Sequence, residues 1–97
     1  SVIPVLGPIV LGRRPAPIES HPDAQLVAVL RSEDSVSKTH ALFVPASDGV
    51  LVTDLGSTNG SFVEGHRIDA ATLLDGNQIV IGRTKILFWT HPDQSGV

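Results

Sequence analysis

Five short pairs, Asp48-Gly49, Asn59-Gly60, Glu64-Gly65, Asp75-Gly76 and Gly82-Arg83, cut the second half of the chain into apolar runs that leave little room for a helix. Each pair suits a reversal at positive φ, a backbone region that glycine enters at no steric cost. The runs between them are rich in Val, Ile, Leu and Phe. Strands are therefore expected at Ile9-Leu11, Gln25-Leu30, Ala41-Val44, Val50-Asp54, Ser61-Val63, His66-Ile68, Gln78-Ile81 and Lys85-Trp89. Asp23 offers an alternative for one of them, as the cap of a helix from Ala24 to Arg31, but the Val content and short length favour a strand. Short strands joined by tight turns make a sandwich or a barrel. In either form the loops gather at the strand ends, where residues remote in sequence meet.

Length and charge narrow what such an all-β chain does. Its 97 residues suffice for one core and no second one: residues 8–90 form the expected domain, with an N-terminal arm at 1–7 and a linker or tail at 91–97. The formal charge of −3 argues against a general affinity for nucleic acid, and 41% hydrophobic residues argue against disorder. The absence of cysteine removes disulfides, thiolate zinc sites and thiol nucleophiles, and it fits a reducing, cytoplasmic setting. The four histidines, His21, His40, His66 and His91, show no metal-ligand spacing, so neither a metal nor a cofactor is expected. No apolar run approaches the ~20 residues that cross a bilayer, so membrane insertion by this domain is not expected. The chain begins without Met, as a domain cut from a longer protein does.

The polar residues are concentrated in one place. The stretch DLGSTNGSF, Asp54 to Phe62, holds three hydroxyls, an amide and a carboxylate between two apolar runs. Asn59-Gly60 alone suffices for the turn, which leaves Ser57 and Thr58 as surplus polar groups displayed on a loop, the kind of feature that binds a ligand.

Two more loops join it: Gly12-Arg13-Arg14 after the first strand and Ser35-Val36-Ser37-Lys38-Thr39-His40 before the third. In this order, with Thr53 to Gly65, Arg67-Ile68, Leu74-Asp75-Gly76-Asn77-Gln78-Ile79 and Ile81-Gly82, the chain from Val10 to Trp89 resembles the forkhead-associated (FHA) domain family. The resemblance implies a β-sandwich of two twisted, mostly antiparallel sheets, with about eleven short strands and a phosphothreonine-peptide site built from the loops at one end. Eleven exceeds eight, so further strands are expected near Ser1 to Gly7 and around Leu73.

Phosphothreonine carries about −1.5 to −2 charges and three acceptor oxygens, so its site needs a cation and fixed donors. Arg13 is the candidate cation, because a guanidinium donates two parallel hydrogen bonds and stays charged. Ser37 would donate its hydroxyl, and Lys38 would add charge or a backbone N–H. By the resemblance, Thr58 lines the pocket for phosphate and methyl group, and Asn59 holds the peptide main chain, for which an amide offers both donors and an acceptor. His40 would brace the loops from beneath. Gly12 and Gly60 supply permissive backbone, whereas Gly56 and Gly65 are turn glycines without a ligand role.

The implied function is a non-catalytic reader that recruits a partner phosphorylated by a serine/threonine kinase, with the phosphothreonine in trans or on the same parent chain. The long, proline-containing connection from Arg13 to Ser37 departs from the family pattern, so that side of the rim is expected to be reshaped. The family reads the third residue after the phosphothreonine through loops near Ser35 and near Gly82 to Lys85. Here Ser35 is uncharged, while Arg31, Arg83 and Lys85 would favour acidic groups. Two rivals are a partner-binding sandwich that ignores phosphorylation and uses a sheet face or edge, and a hydrolase with Ser37, His40 and Asp54 as a triad.

Overall fold

Nine strands run through residues 2–29 and 34–90, the residues that the computed structural model of the chain describes. They are β1 (Ile9–Gly12), β2 (Gln25–Ala28), β3 (Ala41–Ala46), β4 (Gly49–Asp54), β5 (Ser61–Val63), β6 (His66–Ile68), β7 (Ala70–Leu73), β8 (Gln78–Ile81) and β9 (Thr84–Leu87). One sheet has the order β2-β1-β3-β4-β7 and the other β6-β5-β8-β9. All ladders are antiparallel except β1 with β2, which pair in parallel from Ile9↔Gln25 to Gly12↔Ala28. The segment after Asp23 is thus a strand and not a helix. Its expected end at Leu30, with Arg31 beyond, lies outside the described residues, as does the expected tail from His91.

The sandwich fills its middle from both sheets. Ile9, Leu11, Ala41, Phe43, Val50, Val52 and Leu73 come from one sheet, Ile79 and Ile81 from the other, and Val36 from a loop. Burying each large aliphatic side chain of this set contributes about 1.5–3 kcal/mol.

The eleven-strand expectation is corrected to nine among the described residues. The added strand near Leu73 is present as β7, but residues 2–7 carry no strand. Near this arm, an apolar opening between the sheets is lined by Val5, Phe43, Leu73, Ile79, Ile86 and Phe88, among others.

Turn chemistry sets the hairpins. Glu64 and Gly65 both take positive φ, 49° and 82°, which gives the two-residue reversal whose twist matches β5 and β6. Gly82, at 59°, opens the β8–β9 turn. Gly49 breaks the expectation, because its φ is not in the left-handed region. It is needed instead for close approach, since a Cβ there would lie 2.2 Å from the Leu73 carbonyl oxygen on β7.

Register then brings the loops together. Leu11 pairs with Ala41, Ala41 with Asp54, and Ser61 with Ile81. The end of β1, the start of β3, the end of β4, the start of β5 and the β8–β9 turn therefore share one end of the sandwich.

Candidate functional site

Three backbone ties lock the first two loops to each other. Arg13 N–H donates to Ser37 O at 3.0 Å, Arg14 N–H to Lys38 O at 3.1 Å, and His40 N–H to Leu11 O at 2.9 Å. Gly12 makes that approach possible, as a Cβ at this position would stand 2.0 Å from Lys38 O. The Pro-containing chain beyond Arg14 is held to the same rim by Ala16 N–H, which donates to Thr39 Oγ1 at 3.2 Å.

Arg13 is oriented by its own Nε, which donates to Val36 O at 3.1 Å. With Nε committed, the two Nη groups and their four N–H donors form an edge of the half-buried Arg13 that is free among the described residues, the edge suited to a phosphate. Ser37 Oγ accepts from Thr58 N–H at 3.0 Å, so the hydroxyl proton is left to donate elsewhere. The same bond carries the third loop onto the second. Lys38 and Thr58 are exposed on the rim.

Asn59 is exposed beside them, and its Nδ2 donates to Ser35 O at 2.9 Å. That contact takes one of its two amide protons and leaves one N–H and the Oδ1 acceptor, still enough to pair with both backbone groups of a peptide. Asn59, Asp34, Ser35, Gly82 and Arg83 line an open, polar recess next to the loop. Arg83 N–H donates to Ser35 Oγ at 3.2 Å, which ties the β8–β9 turn to this rim. Lys85, expected to join Arg83, borders instead the apolar opening between the sheets, and Arg31 lies outside the described residues.

His40 lies beneath the rim, fully buried. Its Nδ1 accepts from Ser37 N–H at 3.0 Å, which places the ring proton on Nε2, 2.9 Å from the Gly60 carbonyl oxygen that accepts it. One neutral imidazole thus bridges the second and third loops.

Asp54 organises the third loop and was not foreseen in that role. Oδ1 accepts the hydroxyls of Ser57 at 2.6 Å and Ser61 at 2.7 Å, and Oδ2 accepts Ser57 N–H at 3.0 Å. Ser57 Oγ in turn accepts Gly60 N–H at 2.9 Å. Burial pushes the Asp54 pKa up, but the hydrogen bonds from Ser57 and Ser61, helped by the His40 ring, outweigh it and hold the carboxyl below its ordinary value of 3.8. His40 Nε2 stands 3.8 Å from Oδ1, yet its proton is given to Gly60, so this is a contact with a ring dipole and not an ion pair.

The proposed triad is not assembled. Ser37 meets His40 through its backbone N–H and not through Oγ, and both ring nitrogens are committed to main-chain groups. Among the described residues no group of three or more His, Asp or Glu has the arrangement of a metal site. Likewise, no helix there is long and apolar enough to cross a membrane.

The comparisons with known proteins bear on the family and the fold. The FHA domain family model matches residues 9–82. The glycogen accumulation regulator GarA of Mycobacterium tuberculosis is 34% identical over 74 residues, which are 76% of this chain and 44% of that protein. The chain thus spans less than half the length of this curated relative. A structure from an analysis of phosphothreonine-dependent FHA domain interactions superposes with a TM-score of 0.69 at 29% identity, over 89% of this chain and 79% of that one. Mycobacterium tuberculosis EmbR, solved with a low-affinity phosphopeptide, gives a TM-score of 0.68 at 30% identity, over 93% of this chain and 21% of its own.

Proposed function

Since the chain belongs to the forkhead-associated (FHA) domain family, we propose that it is a non-catalytic module that binds phosphothreonine peptides and so recruits a protein modified by a serine/threonine kinase. The observation that carries this reading is the convergence of three separate loops on one rim, with the Nη edge of Arg13 and the proton of the Ser37 hydroxyl left unused among the described residues. Arg13 takes two phosphate oxygens, Ser37 donates to a third, and Lys38 adds charge from the exposed rim. Thr58 packs beside the ester, while the remaining Asn59 donor and acceptor pair with the peptide backbone. Gly12, His40 and Gly60 support these positions.

Charge-assisted hydrogen bonds of this kind contribute about 1.5–3 kcal/mol each, so two or three dominate the affinity of a short peptide. The commitment of both His40 nitrogens supports a binding role over hydrolysis, because a general base needs a free ring nitrogen within reach of the proton it takes.

Titrating one peptide in phosphorylated and bare forms against the wild type and Arg13→Ala tests the reading. Tight binding is expected for the phosphorylated peptide with the wild type alone. Equal affinity in all four combinations would leave a partner-binding sandwich that ignores phosphorylation.

A further inference from the structure

Arg67 is a cation near this end of the molecule that the site above does not use. It lies on β6 opposite Phe62, and its side chain runs along the strand toward the loop, reaching Gly60. The packing is close: a Cβ on Gly60 would stand 2.9 Å from Arg67 Nε and 3.0 Å from Cζ. Gly60 also holds φ +88°, so the glycine serves both the turn and the seat of the guanidinium. Arg67 is exposed, and among the described residues no ion pair involves it.

Sheet order places Arg67 relative to the rest of the rim. Ser61, which follows the loop, pairs with Ile68 on one side and Ile81 on the other. Arg67 precedes Ile68, whereas Gly82 and Arg83 follow Ile81. Since β6 and β8 lie on opposite sides of β5, Arg67 and the Gly82-Arg83 turn that lines the recess lie on opposite sides of the strand that follows the exposed Thr58-Asn59 crest. A peptide whose main chain crosses that crest sends one arm toward the recess and the other toward Arg67.

We infer that Arg67 is a specificity residue of the proposed phosphopeptide site, pairing with an acidic side chain on the peptide arm that runs away from the Ser35–Arg83 recess. The inference rests on the reading of the preceding subsection and adds a charge preference on one flank. The guanidinium lies beside Gly60 at the end of the loop, within reach of a peptide arm that leaves the crest on that side. The pair is exposed, so its effect is modest and falls with salt.

The test uses phosphothreonine peptides with an all-alanine flank, with glutamate on the N-terminal flank, or with glutamate on the C-terminal flank, and a bare peptide as control. These are titrated into the wild type, Arg67→Gln and Arg67→Glu, with melting temperatures measured in parallel. Glutamate on one flank only should tighten wild-type binding by about two- to fivefold. Arg67→Gln should remove that gain without weakening the alanine-flanked peptide, and Arg67→Glu should turn it into a loss. A gain that survives Arg67→Gln, no gain on either flank, or an equal loss with the alanine-flanked peptide would overturn the inference. Absence of any difference between phosphorylated and bare alanine-flanked peptides would instead overturn the underlying site, and this inference with it.

Discussion

The Glu64-Gly65 reversal and the Asp54–Ser61 connection both turn the chain around a left-handed glycine, yet they are built in different ways. The first closes β5 onto β6 with positive φ at both central residues and open space around Gly65. The second spans more residues and ties itself to a half-buried carboxylate, a buried imidazole and a neighbouring loop. A turn needs only backbone conformation. A binding loop also needs its outward groups held in place, and here Asp54, Ser57 and His40 do that from behind Thr58 and Asn59.

Removing the brace should give the largest effect. His40→Ala leaves a part-buried Ser37 N–H and a buried Gly60 carbonyl without this partner, at about 1–3 kcal/mol each. Denaturant unfolding should show a loss of about 3 kcal/mol or more, and phosphopeptide affinity should fall as well. A loss of stability with unchanged affinity would separate His40 from the site.

Next comes the carboxylate. Asp54→Asn puts an amide where both oxygens accept donors, setting either its N–H2 against Ser57 N–H or against two hydroxyls, and should destabilise by about 1.5–3 kcal/mol. The sign of its pH dependence follows from the lowered pKa. The carboxylate contributes stability that is fully present above the ordinary value of 3.8 and is lost as pH falls through the lower folded value. The difference in unfolding free energy between wild type and Asp54→Asn should therefore be constant from neutral to about pH 5 and shrink below pH 4. A gap that does not narrow there would mean that Asp54 is not the ionised hub.

The glycines sharpen the contrast at a smaller scale. Gly65→Ala should cost about 1–2 kcal/mol for left-handed backbone and leave binding unchanged, since nothing lies within 4 Å of the added carbon. Gly60→Ala carries the same strain, and the Arg67 guanidinium that it meets is the end of an exposed side chain that can swing aside, so its stability loss should be similar, but it should extend to phosphopeptide binding because the strained residue lies in the binding loop. Equal effects on binding by both variants would erase the distinction between the two turns.

Much of the fold was legible because apolar runs and turn pairs report local geometry. The eight expected strands are present with ends shifted by a residue or two where described, and the Glu64-Gly65 and Gly82-Arg83 turns match their chemistry. Features set by distant neighbours were not legible. Gly49 looked like half of a turn, but its need for glycine comes from Leu73 on another strand. β7 was anticipated only through the resemblance, since Ala70–Leu73 follows β6 after one residue and switches sheets there, with no Gly or Pro to mark the change. In the site, adjacent hydroxyls at Ser57 and Thr58 look equivalent in sequence. The fold turns Ser57 inward onto Asp54 and leaves Thr58 exposed. The Asp54-x-x-Ser57 spacing, typical of a side chain bonding nearby backbone, was the available signal for that hub.

The most direct measurement is an amide chemical-shift map of the 15N-labelled domain titrated with matched phosphothreonine and bare peptides. Phosphate-dependent changes should cluster at residues 12–14, 35–40 and 57–60, with β9 and residues 2–6 unmoved. Changes centred on β9 and the apolar opening, or identical for the two peptides, would contradict a phosphothreonine site on these loops.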